Sequence, residues 1–344
     1  MTPNIQKDVP LKDISTLHVG GVAEYFTTVD SLDELMTAVQ WAKEGNHSMT
    51  VLGGGSNVVV SDSGMSGLVI KNEIVGISHE ESENHVLVTA GAGVVFDDLV
   101  HYTVEHGWWG LENLSAIPGS VGATPIQNVG AYGVEVCDHI KTVGTFDVNS
   151  ESEHTLDNDE CNFSYRNSMF KTREGKRYIV TSVTFQLSKD PVPVLTYRDL
   201  SVWFTDNSHP TITEIREAVI AIRKKKFPDW KVVGTVGSFF KNPIISEAQF
   251  QRLKGQYPEL PGFPTEGGVK VHLGWILDKV LHLRGYKEGS VGTYEHQALV
   301  LINYGDATSH DVEQFAHMIE QKVFDTTHIR IEWEATRLEN KYKE

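Results

Sequence analysis

Two glycine-rich stretches carry the first chemical clues. Gly53-Gly54-Gly55-Ser56-Asn57 follows the apolar run Met49–Leu52 and leads into Val58-Val59-Val60. Successive glycines let backbone N–H groups approach an anion closely, and the Ser56 hydroxyl and Asn57 amide add donors, so the pentapeptide suits a diphosphate. It lacks the Lys-Ser/Thr of a P-loop, and it opens into a strand where a dinucleotide fingerprint opens into a helix. A plain tight turn also accounts for these residues. The nearest Rossmann-like string, Gly91-Ala92-Gly93-Val94-Val95-Phe96, has no third glycine. The second stretch is Ile117-Pro118-Gly119-Ser120-Val121-Gly122-Ala123-Thr124-Pro125-Ile126-Gln127-Asn128-Val129-Gly130-Ala131-Tyr132-Gly133, with four glycines and two prolines among small apolar residues. Its backbone can approach a large flat ligand, and Gln127 and Asn128 match amide-like edges such as those of an isoalloxazine ring. A buried structural loop between domains is the alternative reading.

The elements that must position these residues follow from periodicity. Ser31-Leu32-Asp33-Glu34 has capping-box spacing, and Leu32, Leu35, Val39 and Ala42 share a helical face up to Gly45. The strand Met49–Leu52 then completes a βαβ-like opening. His85–Ala90 and Ile179–Leu187 read as strands, and Phe96, Leu99, Val100 and Thr103 as one face of a helix ending before Gly107. A further helix runs from about Thr213 to Lys225, started by Thr211 and Glu214, with Ile212, Ile215, Val219 and Ile222 on its face and Pro228 beyond its end. Its basic run Arg223-Lys224-Lys225-Lys226 suits a helix C-terminus, which is the better account of the first three. After Gly237 the pattern predicts helices at Ser246–Lys254, Leu273–Leu283 and Asp311–Val323, and strands at Ala298–Asn303 and Ile329–Trp333. The polar stretch Ser150–Asp159 reads as a surface loop, and no internal repeat or low-complexity tract is visible. The patterning is α+β.

Bulk properties set the frame. At 344 residues, two or three domains are expected. Lys and Arg number 30 against 46 Asp and Glu, a net charge of -16 that opposes nucleic acid and obliges any anionic substrate to meet a local basic pocket. Cys137 and Cys161 are too few for a disulfide framework and are read as packed thiols in a reducing compartment. The N-terminus shows no signal-like apolar stretch, and the longest apolar run, Ala298–Ile302, falls far short of the roughly 20 residues that span a bilayer. The expectation is a cytoplasmic protein without membrane contact. The 15 histidines show no metal-ligand spacing, so no metal is expected.

Further motifs join the two glycine stretches in a fixed order: Phe163-Ser164-Tyr165-Arg166-Asn167-Ser168, Val194-Leu195-Thr196-Tyr197-Arg198-Asp199-Leu200, Gly237-Ser238-Phe239-Phe240-Lys241-Asn242-Pro243, Gly274-Trp275-Ile276-Leu277, Gln297–Asn303 and Ile331-Glu332-Trp333-Glu334. In order and spacing, across nearly the whole chain, they resemble the UDP-N-acetylenolpyruvoylglucosamine reductase family, in its longer, first type. The resemblance implies non-covalent FAD in a two-part domain of the vanillyl-alcohol-oxidase type (1–72 and 73–225), a C-terminal α/β substrate domain (226–328), and a closing strand and tail (329–344) that can rejoin the first part. It implies NADPH as reductant, a UDP-sugar enolpyruvyl ether as substrate, a role in peptidoglycan synthesis and thereby cell shape and division, and a monomer. The cofactor residues are Gly53–Asn57 with Ile117, Pro118, Gly119, Ser120, Gly122, Ala123, Gln127, Asn128, Gly130, Ala131 and Tyr132.

The implied reaction adds hydride from flavin N5 to the methylene end of the ether, and charge accumulates at the substrate carboxylate. Arg166 is the matching stabiliser, since a guanidinium stays cationic and offers forked donors. Glu334 can hydrogen-bond that carboxylate only if it carries a proton, which apolar surroundings beside Trp333 favour. Glu332, on the same face if this is a strand, competes with it. Ser238 matches the general acid that protonates the enol carbon; because serine is a weak acid, geometry must supply what acidity lacks. Tyr165, Tyr197, Lys226 and Asn242 match substrate contacts. Two departures stand out: Thr336 takes a place where members of the family often have Arg, and His272-Leu273 replaces small residues. The rival readings are a flavin-dependent alcohol oxidase, which gives the Ser238–Asn242 motif no role, and a non-catalytic flavin or UDP-sugar binding protein, which leaves Ser238, Arg166 and Glu334 without purpose.

Overall fold

The computed structural model describes residues 3–340, which divide into two compact units. The first comprises the residues up to Val9, Ala23–Gly55 and Ser66–Arg223; the second comprises Pro10–Val22, Ser56–Met65 and the residues from Lys224 onward. The fold is α+β.

The first unit is built on two sheets. A four-stranded sheet places Gln6–Pro10, Val22–Val29, Met65–Asn72 and Met49–Leu52 in that spatial order, the last two parallel. The helix Leu32–Glu44 covers it with Leu35, Ala38, Val39 and Ala42, all buried. Ser31 starts this helix by accepting from the Glu34 N–H, and Gly45 closes it. The second sheet is five-stranded and antiparallel, in the order Ser152–Asp157, Ile140–Asp147, Tyr178–Ser188, His85–Gly91 and Ile77–Glu81. The helices Phe96–Glu105 and Ile212–Lys226 bury Leu99, Val100, Ile215 and Val219 in one core with Val88, Val183 and Phe185 of its strands. The stretch Ser150–Asp159, read from sequence as a loop, is instead largely the edge strand Ser152–Asp157. Only Leu156 of that strand is buried, and its polar exposed residues keep the open edge from recruiting another chain.

The second unit holds two three-stranded sheets, Ile244–Ile245 with Gly268–Val271 and Gly262–Thr265, and Lys287–Glu288 with Val291–Thr293 and Leu301–Asn303. The helix Ser309–Thr327 lays Val312, Phe315, Ala316, Ile319 and Val323 into their common core. Asp62 secures this helix by accepting from the N–H groups of Ser309 and His310 at 2.8 and 3.0 Å. Three expectations change here. The predicted strand Ile329–Trp333 is irregular, touching Phe240 by a single bridge at Trp333; the pairing strand is Thr336–Leu338, parallel to Val58–Val60. The predicted strand Ala298–Asn303 shortens to Leu301–Asn303. The predicted helix Leu273–Leu283 is one α-turn, Leu273–Trp275, followed by the π-turn Ile276–Val280, because His282 at φ 52 and the Leu283 N–H bonded back to Leu277 wind the chain off the helix axis. No helix among the described residues is long and apolar enough to cross a membrane.

Candidate active site

In the first unit the two glycine stretches lie edge to edge. A Cβ on Gly54 would stand 2.9 Å from Gly119 Cα and 3.3 Å from its carbonyl carbon, so only bare backbone fits there, while one on Gly53 would meet the Ser120 hydroxyl and turn it away. Gly119 itself has φ 120. Backbone bonds from Val121 to Val94 and from Gly122 to Ala92, both 2.9 Å, pin the second stretch to the end of the strand His85–Gly91. The segment Gly91–Phe96, dismissed as a dinucleotide fingerprint, is thus the shelf on which the cradle rests. Ser120 Oγ is buried with no hydrogen-bond partner, a hydroxyl set for an acceptor that is not part of the chain. The stretch is less of a loop than its composition suggests, since it contains the helix Ala123–Gln127 and a hairpin pairing Gly130–Ala131 with Val134–Glu135.

Asn128 bonds within the chain through its side chain. Its φ of 43 ends the short helix, and its side chain, fully buried, donates to Glu135 Oε2 at 2.8 Å and to the Ser164 carbonyl at 3.0 Å while accepting from the Cys137 N–H at 3.2 Å. Both amide protons are committed, so this side chain has no donor left for a flavin edge. Gln127 presents its carbonyl to Lys171 Nζ at 2.6 Å.

Tyr165 and Arg166 form the tip of a turn closed by reciprocal backbone bonds between Ser164 and Asn167 at 3.0 and 2.9 Å. Arg166, at φ 53, donates to the Gly130 carbonyl at 2.6 Å and to the Asn128 carbonyl at 3.4 Å, which brings the guanidinium against the cradle. Tyr197 precedes the helix Arg198–Trp203, and its ring meets that of Tyr132 edge to face, with centroids 5.2 Å apart.

A clamp around the cradle's entry was missed in the sequence. Asp97 Oδ1 accepts from the Ala116 N–H at 2.6 Å, and the same carboxylate takes both terminal nitrogens of Arg216 at 2.7 and 3.2 Å. Burial alone would raise the Asp97 pKa, but the hydrogen bonds from Arg216 and the Ala116 amide, with the charges of Arg216 and Arg223, hold it below the usual carboxylate range. Arg223 is not merely a helix-end charge: it turns inward, donating from Nε to the Ala116 carbonyl at 3.1 Å and pairing with the Tyr132 phenol. Burial pushes the Tyr132 phenol up to about 12. The signal available was the i, i+7 spacing of Arg216 and Arg223, which puts both on one face of a helix.

In the second unit the Ser238 segment runs between two neighbours. Phe239 N donates to the Leu299 carbonyl at 2.9 Å on one side, and on the other Glu334 N donates to the Phe239 carbonyl at 2.8 Å. The segments of Ser238 and Glu334 thus run side by side, and both residues are half-buried. Asn57, offered as a cofactor ligand, donates to the Glu334 carbonyl at 3.0 Å and so also fixes that segment. The competing Glu332 is exposed and paired with Lys241 Nζ at 3.0 Å. Asn242 accepts from the Leu273 N–H at 3.0 Å, leaving its amide protons for a ligand. Thr336 is exposed, its N–H bonded to the Asn57 carbonyl at 2.9 Å. His272 caps its short helix by accepting from the Trp275 N–H at 3.1 Å, a packing role. Lys226 ends the helix Ile212–Lys226. Of the two cysteines, Cys161 is buried and Cys137 half-buried; burial pushes their thiols up to about 12 and about 11.

Comparison with known proteins agrees with this division. Residues 23–155 match a family described as FAD binding domain, and residues 228–338 match one described as UDP-N-acetylenolpyruvoylglucosamine reductase, C-terminal domain. A protein of Bdellovibrio bacteriovorus named UDP-N-acetylenolpyruvoylglucosamine reductase is 41% identical over 336 residues, covering 97% of this chain and 99% of its own. The chain belongs to the UDP-N-acetylenolpyruvoylglucosamine reductase family. A member from Neisseria gonorrhoeae is 41% identical over 91% of this chain and 92% of its own. The crystal structure of the member from Thermus caldophilus shares the fold, with a TM-score of 0.69 over 98% of this chain and all of its own at 23% identity.

Proposed function

We propose that the protein reduces UDP-N-acetylglucosamine enolpyruvate to UDP-N-acetylmuramate, with FAD as carrier and NADPH as electron source, in the synthesis of peptidoglycan precursors. Gly53–Gly55, Ser56, Ile117–Ser120, Gly122, Ala123, Gly130, Ala131 and Tyr132 would hold the cofactor, with Gln127 and the backbone of Asn128; the buried, unpartnered Ser120 hydroxyl and the bare-backbone crossing at Gly54 fit such a ligand. When bound, FAD supplies the hydride that reaches the methylene carbon of the substrate.

The chain's own groups do the rest. Arg166 stabilises the charge that develops at the substrate carboxylate, with its forked guanidinium already oriented by the Gly130 carbonyl. Glu334 faces the same carboxylate. The Ser238 Oγ proton passes to the carbon bearing the ether oxygen. Lys226, Tyr197, Tyr165 and the Asn242 amide hold the UDP-sugar. The observation that most supports this reading is the backbone bond from Glu334 N to the Phe239 carbonyl, which runs the Glu334 segment alongside that of Ser238. The two sheets of the first unit support a flavin domain in two parts of the vanillyl-alcohol-oxidase type, 1–72 and 73–225, joined where Phe146 and Ile179 of the second sheet enter the core of the first. We also place the protein in the cytoplasm, a reading supported by its two free thiols, and take it to act as a monomer.

The test is anaerobic. The flavin band of the purified protein bleaches on adding NADPH and returns on adding UDP-N-acetylglucosamine enolpyruvate; no band, or a band that stays bleached, overturns the reading. Ser238→Ala leaves the bleaching step nearly intact and abolishes the return, whereas equal loss of both removes the proton-donor role.

A further inference from the structure

Lys171 lies under the cofactor cradle and the Arg166 turn, within the first unit. It closes the short 3-10 turn Met169–Lys171, whose Phe170 is buried in the core of the five-stranded sheet, so its stem leaves from an anchored point. The side chain is half-buried, and its ammonium donates to Gln127 Oε1 at 2.6 Å and to the Arg166 carbonyl at 2.7 Å, joining residues 44 and 5 positions away. Charge-assisted bonds of this length are the strong ones. An ammonium has three donors and no acceptor, so Gln127 can only turn its carbonyl oxygen toward it, and the amide NH2 then faces the other way. The second acceptor belongs to a residue whose backbone is forced: Arg166 is at φ 53, a region that a bulky side chain enters only under constraint. Other bonds already dock the two segments, from the Ser168 hydroxyl to the Ile126 carbonyl at 2.9 Å and from the Asn128 amide to the Ser164 carbonyl at 3.0 Å. What Lys171 adds is the orientation of one side-chain amide and one peptide.

We propose that Lys171 is a positioning residue that serves cofactor and substrate at once: through Gln127 it makes the amide meet the cofactor as a donor, and through the Arg166 carbonyl it aims the guanidinium that takes up charge at the substrate carboxylate. This rests on the reading of Gln127 as a cofactor contact and of Arg166 as the charge stabiliser. Donors that are already aimed need no reordering when a ligand binds or charge develops.

Lys171→Met keeps the apolar stem and removes the cation, and measurements on the holoenzyme separate its two effects. The dissociation constant for FAD, read from the flavin released on dilution, rises roughly tenfold. With FAD kept saturating, reoxidation of the reduced flavin by saturating UDP-N-acetylglucosamine enolpyruvate slows roughly tenfold, while reduction by NADPH stays within about threefold. The effects divide by partner: in a Gln127→Ala background Lys171→Met changes FAD affinity by less than about twofold, and in an Arg166→Ala background it slows reoxidation by less than about twofold, because each pair acts through one group. Gln127→Glu tests the orientation without touching Lys171, since a carboxylate still accepts from the ammonium but has no NH2, and it is expected to lose as much FAD affinity as Gln127→Ala. Equal slowing of both half-reactions, effects of Lys171→Met that multiply independently of Gln127 and Arg166, or a Gln127→Glu variant that holds FAD as tightly as the unmodified protein overturns the proposal. Failure of the functional reading looks different: the reduced flavin of the unmodified protein is then not reoxidised by this substrate, and the Arg166 half of the proposal falls with it.

Discussion

The cofactor cradle and the Ser238 segment solve the same problem, holding chain still beside a ligand, with opposite means. The cradle works by leaving side chains out: Gly54 crosses Gly119 so closely that a Cβ does not fit, and a carboxylate clamp from Asp97 holds the entry at Ala116. The Ser238 segment works by driving side chains in. Phe239 and Phe240 are fully buried, stacked edge to face at 5.1 Å, and Trp333 closes on Phe239 at 4.8 Å. A ligand bound by backbone N–H groups needs the chain itself at its surface, whereas a reacting hydroxyl needs one side chain held out by neighbours that are anchored. Glycine-built sites therefore fail by crowding, and aromatic-anchored ones fail by cavities.

The sharpest way to break the comparison is Gly54→Val. Its branched Cβ meets the Gly119 backbone, so the purified variant is expected to lack the flavin band entirely; a variant that loads FAD normally removes the crowding argument. Next comes Phe239→Ala, which opens a cavity worth about 3–5 kcal/mol and loosens Ser238 and Glu334 together. Thermal unfolding followed by tryptophan fluorescence measures it, and a loss under about 1 kcal/mol returns the anchoring to the backbone bonds alone.

Asp97→Asn gives a smaller effect, about 1–3 kcal/mol from removing one charge of a partly buried pair. Its pH dependence carries a sign. The folded Asp97 pKa lies below the unfolded value, so the stability it contributes is present above about pH 4 and is lost as pH falls through the folded pKa. Denaturant titrations from pH 7 down to about 3 are expected to show this acid loss weakened in Asp97→Asn; identical slopes count against the clamp. The smallest change separates the two glutamates. Glu332→Ala removes an exposed pair with Lys241 and shifts stability by less than about 0.5 kcal/mol with turnover unchanged, while Glu334→Gln lowers turnover; comparable losses of turnover in both would put Glu332 back in the site.

Much of this architecture was legible in the amino-acid order. The helix faces at Leu35–Ala42 and Ile215–Ile222 follow from their period, the caps at Ser31 and Thr211 from residue type, and the glycine runs and family motifs are strings of adjacent residues that name their chemistry locally. What only the tertiary structure decided concerns partners far apart in the chain. Asn128 reads as a flavin donor until its two amide protons are found committed to Glu135 and Ser164, and the Glu332 carboxylate is taken by Lys241, 91 residues away. Ser152–Asp157 lacks the apolar alternation of a half-buried strand because it pairs at an edge, where backbone bonds rather than side chains secure it. Residue type fixes how many hydrogen bonds a group can make; only folding settles which of them are already made, and the remainder is what a ligand can use.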